Sequence, residues 1–179
     1  MNAIPSASQF AGASDAWRLA PKRAEDAAAV NALVDRAFGP GRFAKTAERL
    51  REGNRPRLDL SVCAWAGGEL VGAVTLWPIR IGEAPALFLG PIAVDPAWRN
   101  QGLAKVMAER ACDAARASGE TLVLLVGDLP LFGPVGFEPV ERGRIQLPGP
   151  VNPMRVLWRP LKGGALEGVS GPVSAAIQG

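Results

Sequence analysis

Residues 89 to 104, LGPIAVDPAWRNQGLA, contain an R-x-x-G-x-A pattern formed by Arg99, Gly102 and Ala104 at the predicted start of a helix. The first backbone N–H groups of a helix lack partners within it and, with the helix dipole, favour an anion. Small residues allow a diphosphate to approach this backbone, and Arg99 adds a cation at the rim. The pattern therefore predicts a phosphate-binding site. The alternative is that Gly102 and Ala104 are small only because the helix packs closely on a sheet.

The composition excludes several kinds of catalytic site, because the 179-residue chain contains no His and no Tyr. Without an imidazole there is no Ser/His/Asp triad, no Cys/His pair and no His-containing zinc site. The phenol that many transferases use as a proton donor is missing as well. Any chemistry must therefore use carboxylates, hydroxyls, thiols, cationic side chains, backbone groups or water.

The charges and cysteines limit which partners and which cellular compartment are compatible with this sequence. Twenty Lys+Arg against 17 Asp+Glu give a net charge of +3, and their scatter along the chain argues against a nucleic-acid partner. Cys63 and Cys112 have apolar neighbours, which predicts buried free thiols in a reducing compartment and no metal site. No signal peptide or membrane span is apparent. We therefore expect a soluble cytoplasmic protein that binds neither nucleic acid nor membrane.

Hydrophobic spacing predicts one domain that begins at residue 16, after a mobile lead-in at residues 1–15. The strand around Gly90-Pro91 is expected to contain a bulge or an unpaired backbone position, and the apolar run 121–126 is expected to have a parallel neighbour. By composition alone, the Gly/Ser-rich tail from residue 163 is expected to pack loosely. The predicted strands are 17–20, 58–65, 70–81, 87–94, 121–126, 138–147 and 154–161, and the predicted helices are 25–38, about 43–53 (with Phe43, Ala47 and Leu50 on one face) and 102–118.

Four sequence blocks together resemble the GNAT superfamily of acyl-CoA N-acyltransferases, and within it the YhbS-like subgroup. They are LGPIAVDP (89–96), LLVGD (124–128), FGPVGFEP (132–139) and GALEGVSG (164–171). The resemblance covers most of the chain. It implies an α/β (α+β) GNAT fold, in which helices flank a mixed central sheet whose fourth and fifth strands splay apart. It also implies that the C-terminal segment belongs to the domain, which then spans residues 16–179, against the expectation from composition.

The same resemblance implies acetyl-CoA or another acyl-CoA as the co-substrate, with no metal. Backbone groups of Ile92, Ala93 and Val94 would pair with the pantetheine arm as if it were an added strand. The opposite wall of the gap would be formed by residues 126–128. The pyrophosphate would be wrapped mainly by the backbone of six residues, Arg99, Asn100, Gln101, Gly102, Leu103 and Ala104.

Two catalytic roles depart from the family pattern or remain open. Phe132 occupies the position of a tyrosine that donates a proton to the departing thiolate in many relatives, and phenylalanine cannot donate. A thiol with a pKa near 8.5 still leaves tolerably as a thiolate, so a slower enzyme is compatible with this vacancy. Asp128 is the leading candidate for the base, with a helix or loop cap as its alternative. Glu83 is a weaker candidate, and Trp65 and Trp77 either line an acceptor pocket or pack in the core.

The resemblance thus implies an N-acyltransferase that moves an acyl group to an amine by direct attack in a ternary complex. The acceptor, a small-molecule or peptide amine, is not identified, although Arg42, Lys45 and Arg55 mildly favour an anionic one. An alternative of another class is a weak or inactive acyl-CoA-binding sensor, which the vacancy at Phe132 keeps open. A third is a transferase that uses an acyl carrier protein. Oligomeric state is open, with a homodimer among the options.

Overall fold

The structure is a computed structural model that describes residues 16–39 and 46–177. The predicted lead-in and Phe43 of the predicted second helix lie outside these residues. The strands are β1 (Arg18–Pro21), β2 (Val62–Ala66), β3 (Glu69–Ile81), β4 (Ala84–Val94), β5 (Leu122–Val126), β6 (Glu138–Pro139), β7 (Ile145–Gln146), β8 (Val156–Pro160) and β9 (Gly171–Ala175). The helices are α1 (Ala27–Phe38), α2 (Leu103–Ala117) and α3 (Leu129–Phe132), and short 3-10 turns include Ala24–Asp26, Thr46–Leu50 and Pro96–Trp98.

The strands form one mixed sheet in the order β1-β2-β3-β4-β5-β8-β6, with β9 added against β3 and β7. The β4 and β5 strands are parallel neighbours, with Leu87 opposite Val123 and Phe88 opposite Leu124. Strand β5 is a continuous apolar run because both of its faces are covered, as is typical of a strand next to a parallel partner. The parallel neighbour predicted for this strand is therefore confirmed.

The two faces of the sheet are covered by different parts of the chain. Helix α2 packs through Leu103 and Met107 on the face that carries Leu87 and Leu89 of β4. Helix α1 covers part of the opposite face, where Leu33 shares a cluster with strand residues. The rest of that face, on the side of Ala86 and Phe88, is covered by the Thr46–Leu50 turn and the C-terminal segment. The sheet is therefore buried on both sides, with α1 and the tail sharing one of them.

A bulge in β4 sets which side chains face α2. Leu76 of β3 lies opposite Leu89, whereas Val74 lies opposite Ile92, so β4 uses two residues, Gly90 and Pro91, where β3 uses one. The extra residue inverts the alternation of side chains along β4. As a result, Ile92 packs against the same cluster as Leu89. The predicted bulge is confirmed.

The C-terminal segment packs against the domain, so the expectation of a loose tail is wrong. Strand β9 pairs with the far end of β3, with Val173 opposite Ile81, and Val173 is only 3% exposed. The Arg144 guanidinium donates to the carbonyl of Val169 at 3.0 Å and lies over the ring of Trp158. Composition failed here because a few well-spaced apolar side chains find their partners only through the tertiary fold.

Two predicted strands are shorter than expected. Residues 58–61 form a turn ahead of β2, and residues 138–147 contain only the two-residue strands β6 and β7 with a turn between them. In the predicted second helix, the described part is the Thr46–Leu50 turn, which buries Leu50 completely. The remaining element predictions hold to within a few residues.

Candidate active site

Strands β4 and β5 part after two residue pairs, and a cleft opens where they diverge. Beyond Phe88 and Leu124 the two strands have no further paired residues, while β5 stays paired with β8 along its whole length. The cleft has a volume of about 530 Å³. Among the described residues, its lining comprises Val34, Phe38, Thr46, Ala47, Arg51, Phe88, Leu89, Gly90, Pro91, Ile92, Ala104, Leu125, Val126, Gly127, Asp128, Leu131, Phe132, Pro150, Val151, Asn152 and Arg155.

The predicted pantetheine-binding residues lie on the β4 strand where one of its edges is open. On the other edge, Ile92, Ala93 and Val94 are paired with residues 72–74 of β3. On the cleft side, no described strand pairs with this stretch of β4. Ala93 is fully buried toward α1, and of the three residues only Ile92 lines the cleft. The free backbone edge can therefore accept an extended ligand as an added strand.

The packing of α2 on the sheet does not require a glycine at residue 102. Gly102 is the N-cap of α2 with φ of 81°, and a Cβ added there would meet no atom of the described residues within 4 Å. The close approach of α2 to the sheet depends instead on Gly72 of β3, where a Cβ would stand 2.9 Å from Met107. The packing alternative for Gly102 therefore fails. The left-handed backbone favours a glycine, and among the described residues the space in front of it is open.

The start of α2 presents free amides to that open space. The first bond of the helix is donated by the amide of Val106 to the carbonyl of Gly102 at 3.1 Å. Within residues 16–39 and 46–177, no backbone acceptor contacts the amides of residues 100–104. Ala104 lines the cleft, whereas the Leu103 side chain is 1% exposed in the core, so that residue can contribute only its amide. The helix N-terminus and the cleft thus form one continuous surface.

The remaining predicted phosphate-binding residues surround this helix start. Arg99 is exposed, and its Nη2 donates to the carbonyl of Ala37 at 3.4 Å, near the end of α1. Asn100 has φ of 63°, and Gln101 is exposed. None of these three side chains lines the cleft, so they can act only at its outer rim, where Arg99 supplies a positive charge.

Asp128 lies at the end of β5 and lines the cleft. It holds the N-cap position of α3, where its backbone carbonyl accepts from the amides of Leu131 and Phe132, both at 3.0 Å. Its side chain makes no cap hydrogen bond. The carboxylate instead accepts from Nε of Arg155 at 3.1 Å and is 68% exposed. Asp128 therefore occupies the cap position that the alternative requires, but its side chain does not cap the helix.

The buried ring of Phe132 lines the cleft. It is 5% exposed and meets Phe137 edge to face, with ring centroids 6.1 Å apart. The ring also lies against Gly127, where a Cβ would stand 2.7 Å from the ring atom Cε2. The ring contributes apolar surface and shape, and it carries no polar atom that could donate a proton.

Both cations that line the cleft among the described residues, Arg51 and Arg155, were missed in the sequence. Arg51 lines the cleft and its Nε donates to Oε2 of Glu48 at 3.0 Å, with 10% and 15% of the two side chains exposed. Arg55, which was predicted to favour an anionic acceptor, is exposed and outside the lining, and Arg42 and Lys45 lie outside the described residues. The E-x-x-R spacing beside the apolar Leu50 was the available signal, since residues three apart share a helical face.

The remaining residues considered in the sequence analysis lie in environments that indicate structural roles. Trp77 donates its Nε1 to the carbonyl of Gly90 at 2.6 Å and so supports the bulge, while Trp65 packs near α1. Glu83 is exposed in the turn between β3 and β4. Cys63 and Cys112 are free and buried as predicted, and burial raises the pKa of each thiol to about 11. Across the described ranges, no group of acidic, His or Cys side chains could hold a metal ion, and no helix could cross a membrane.

Comparison with known proteins assigns the family. The profile of the acetyltransferase (GNAT) family matches residues 27–130, which extend from α1 into α3. The chain belongs to the GNAT acetyltransferase family. The uncharacterized N-acetyltransferase YhbS of Escherichia coli K12 is 32% identical over 152 residues, covering 83% of this chain and 89% of that protein. The resemblance to the YhbS-like subgroup is confirmed.

Solved GNAT structures share the fold. The structure of Escherichia coli YhbS in complex with CoA matches with a TM-score of 0.76 and 26% identity, covering 98% of this chain and 93% of that one. A GNAT family acetyltransferase from Brucella melitensis, solved with acetyl-CoA, matches with a TM-score of 0.57 and 21% identity over 84% of this chain and 98% of that one. The predicted GNAT fold, with a mixed sheet whose fourth and fifth strands splay apart, is therefore confirmed.

Proposed function

We propose that this GNAT protein transfers an acetyl or other acyl group from acyl-CoA to the amine of an acceptor, by direct attack in a ternary complex. The observation that carries the proposal is the single cleft that joins three features. These are the open edge of β4, the end of β5 and the first turn of α2 at Ala104. An extended arm and a diphosphate need such surfaces next to one another.

The cofactor-binding residues are proposed on the same grounds. The backbone of Ile92, Ala93 and Val94 would receive the pantetheine arm along the free edge of β4. The amides of residues 100–104 would hold the pyrophosphate, since they lack backbone partners among the described residues and Gly102 leaves open space before them. The relative from Escherichia coli, whose structure was solved with CoA, supports this donor.

The chemistry requires few groups from the protein. A neutral amine attacks the thioester carbonyl, a carbon–nitrogen bond forms, and the carbon–sulfur bond breaks with departure of the thiolate. The nitrogen that has attacked loses one proton to water as the amide forms. Asp128 would take the proton of the ammonium form, directly or through water, from its place at the rim of the cleft. Nothing at Phe132 can donate to the sulfur, so the thiolate leaves unprotonated or is protonated by water, which is tolerable for a thiol with a pKa near 8.5.

A sensor that binds acyl-CoA without turnover is the second candidate. The observation that favours it is the buried Phe132 ring, which fills the position of the usual proton donor with apolar surface. Both candidates require acyl-CoA to bind in the cleft, and they differ only in whether an acceptor amine is consumed.

Two measurements test these functions. Acetyl-CoA at about 100 times its dissociation constant should raise the free energy of unfolding by about 2.7 kcal/mol in a thermal melt. No stabilisation at millimolar acetyl-CoA contradicts both candidates. Release of free CoA that depends on an added amine then establishes transfer, whereas binding without such release establishes the sensor.

A further inference from the structure

We infer that Arg51 is a specificity-determining residue that binds a carboxylate on the acceptor, so that the acceptor is a small primary amine bearing a carboxylate. This inference rests on the proposed function, because it concerns the second substrate of the same cleft. The family assignment specifies no acceptor, whereas Arg51 is buried, lines the cleft and is paired with Glu48 on one side.

Arg51 reaches the place where the two strands part. Its Nη1 is 3.9 Å from the position of a Cβ built on Gly90. Gly90 lies in the bulge of β4, two residues after Phe88, the last residue of β4 that pairs with β5. The side chain is only 10% exposed, yet it lines the cleft. A cation is therefore buried beside the point at which the acyl group and the amine must meet.

Among the residues that the structure describes, the hydrogen bonds of Arg51 involve Nε and Nη2, which leaves the Nη1 side of its guanidinium for a ligand. Glu48 accepts from Nε and Nη2 and fixes the plane of the group. Nη1 is the nitrogen turned toward Gly90. An arginine held in this way by one carboxylate can donate to a second one at little further entropic cost, because its rotamer is already fixed.

The charges around the cleft fit an amine that carries a carboxylate. The described lining contains two guanidinium groups, Arg51 and Arg155, and one carboxylate, Asp128. Asp128 and Arg155 pair with each other at the end of β5, whereas Arg51 lies beside β4. An amino-carboxylate can therefore direct its amine toward Asp128 and its carboxylate toward Arg51, on different walls of the cleft.

The wall next to Arg51 restricts the size of the acceptor. The hydroxyl of Thr46 donates to the carbonyl of Pro150, so the Thr46–Leu50 turn and the loop before β8 form one surface. Gly149 permits this approach, since a Cβ there would stand 2.8 Å from Oγ1 of Thr46. A cleft of about 530 Å³ that must also admit the acyl end of the donor leaves room for a small amine.

The test compares each amino-carboxylate with its carboxamide, which keeps the amine and lacks the carboxylate charge. CoA release is measured at saturating acetyl-CoA with free amino acids of every side-chain class, with β- and γ-amino acids, and with the carboxamide of each. We expect at least one amino-carboxylate to exceed its carboxamide by about tenfold or more in kcat/KM, as a charge-assisted hydrogen bond provides. Arg51→Gln should abolish this preference mainly by raising KM, Arg51→Lys should retain part of it, and Arg55→Gln should leave it intact.

The controls separate a binding role from a structural one. Arg51→Gln leaves the Glu48 carboxylate without its partner, so the double variant Glu48→Gln/Arg51→Gln provides a second test in which neither charge remains. Both variants should bind acetyl-CoA as the wild type does. Equal use of a carboxamide, an unchanged preference in either variant, or acetyl-CoA binding with no active amino-carboxylate in the panel would overturn the inference. Absence of acetyl-CoA binding in the wild type contradicts the proposed function itself, which is a separate result.

Discussion

The backbone of Gly127 lies directly against the ring of Phe132, so closely that a Cβ on Gly127 would stand 2.7 Å from Cε2 of that ring. Both residues line the cleft between the diverging strands. The position of the Phe132 ring therefore depends on the absence of a side chain at residue 127, immediately after β5.

Gly127→Ala should displace the Phe132 ring and destabilise the protein by about 1 to 3 kcal/mol, as overpacking of a filled site does. Urea unfolding measures this change. Gly133→Ala is the matched control, because a Cβ there would meet Leu129 at an ordinary 3.4 Å and the backbone is helical. A Gly127→Ala protein as stable as the control would show that the ring moves freely.

Gly102→Leu should prevent acetyl-CoA from stabilising the protein, because the new side chain would fill the open space in front of the α2 amides. The control is Gly119→Leu, at the other end of α2, which has a similar φ of 88° and likewise no atom within 4 Å of its Cβ. Both variants carry similar backbone strain, on the order of 1 to 2 kcal/mol. Equal thermal shifts with acetyl-CoA in the two variants would place the pyrophosphate elsewhere.

Phe132→Tyr should raise the turnover number by about tenfold or more, since a positioned general acid contributes on the order of 10² to 10⁴ in rate. Steady-state CoA release with an active amine measures the gain. Phe137→Tyr places the same hydroxyl on the neighbouring ring, outside the cleft lining, and should not accelerate release. An unchanged rate in Phe132→Tyr would show that the departing thiolate needs no donor from this position.

Asp128→Asn should lower turnover far more than it weakens acetyl-CoA binding, because the amide cannot take the proton from an ammonium acceptor. The effect on unfolding should stay within about 1 kcal/mol, as expected for an exposed ion pair with Arg155. Arg155→Gln removes the same ion pair and keeps the carboxylate, so it serves as the control. If both variants lose activity equally, the ion pair, not proton transfer, accounts for the loss.

The buried thiols should make stability depend on alkaline pH. Burial raises the pKa of Cys63 and of Cys112 from 9.0 to about 11. The folded state therefore holds these protons more tightly, and the stabilisation is complete below pH 9 and lost as the pH rises through about 11.

Urea unfolding between pH 8 and 11 measures this decline. The double variant Cys63→Ala/Cys112→Ala should show a shallower slope. It retains Lys22, whose pKa is lowered by burial and which acts with the opposite sign. Identical slopes in the two proteins would contradict the protonated state of the thiols.

Much of the fold follows from local patterns in the sequence. The helical spacing that includes Leu33 and the continuous apolar run of β5 marked elements that the structure contains. The proline after Gly90 identified the bulge, because proline cannot donate to a neighbouring strand. The tail could not be predicted in this way, since Val169 and Val173 are buried by strands distant in sequence.

The sequence alone determined the family and excluded catalysis by an imidazole or a phenol of this chain. A chain without His or Tyr has neither imidazole nor phenol to offer, and the motif around Gly102 lies within ten consecutive residues, where local conformation suffices to present it. The tertiary structure decided the composition of the cleft. Arg51 follows the Thr46–Leu50 turn, Gly90 lies in β4 and Asp128 follows β5, and they line one cleft because β4 and β5 separate after two residue pairs. Such proximity depends on strand pairing and packing between distant segments, which residue types and spacing do not specify.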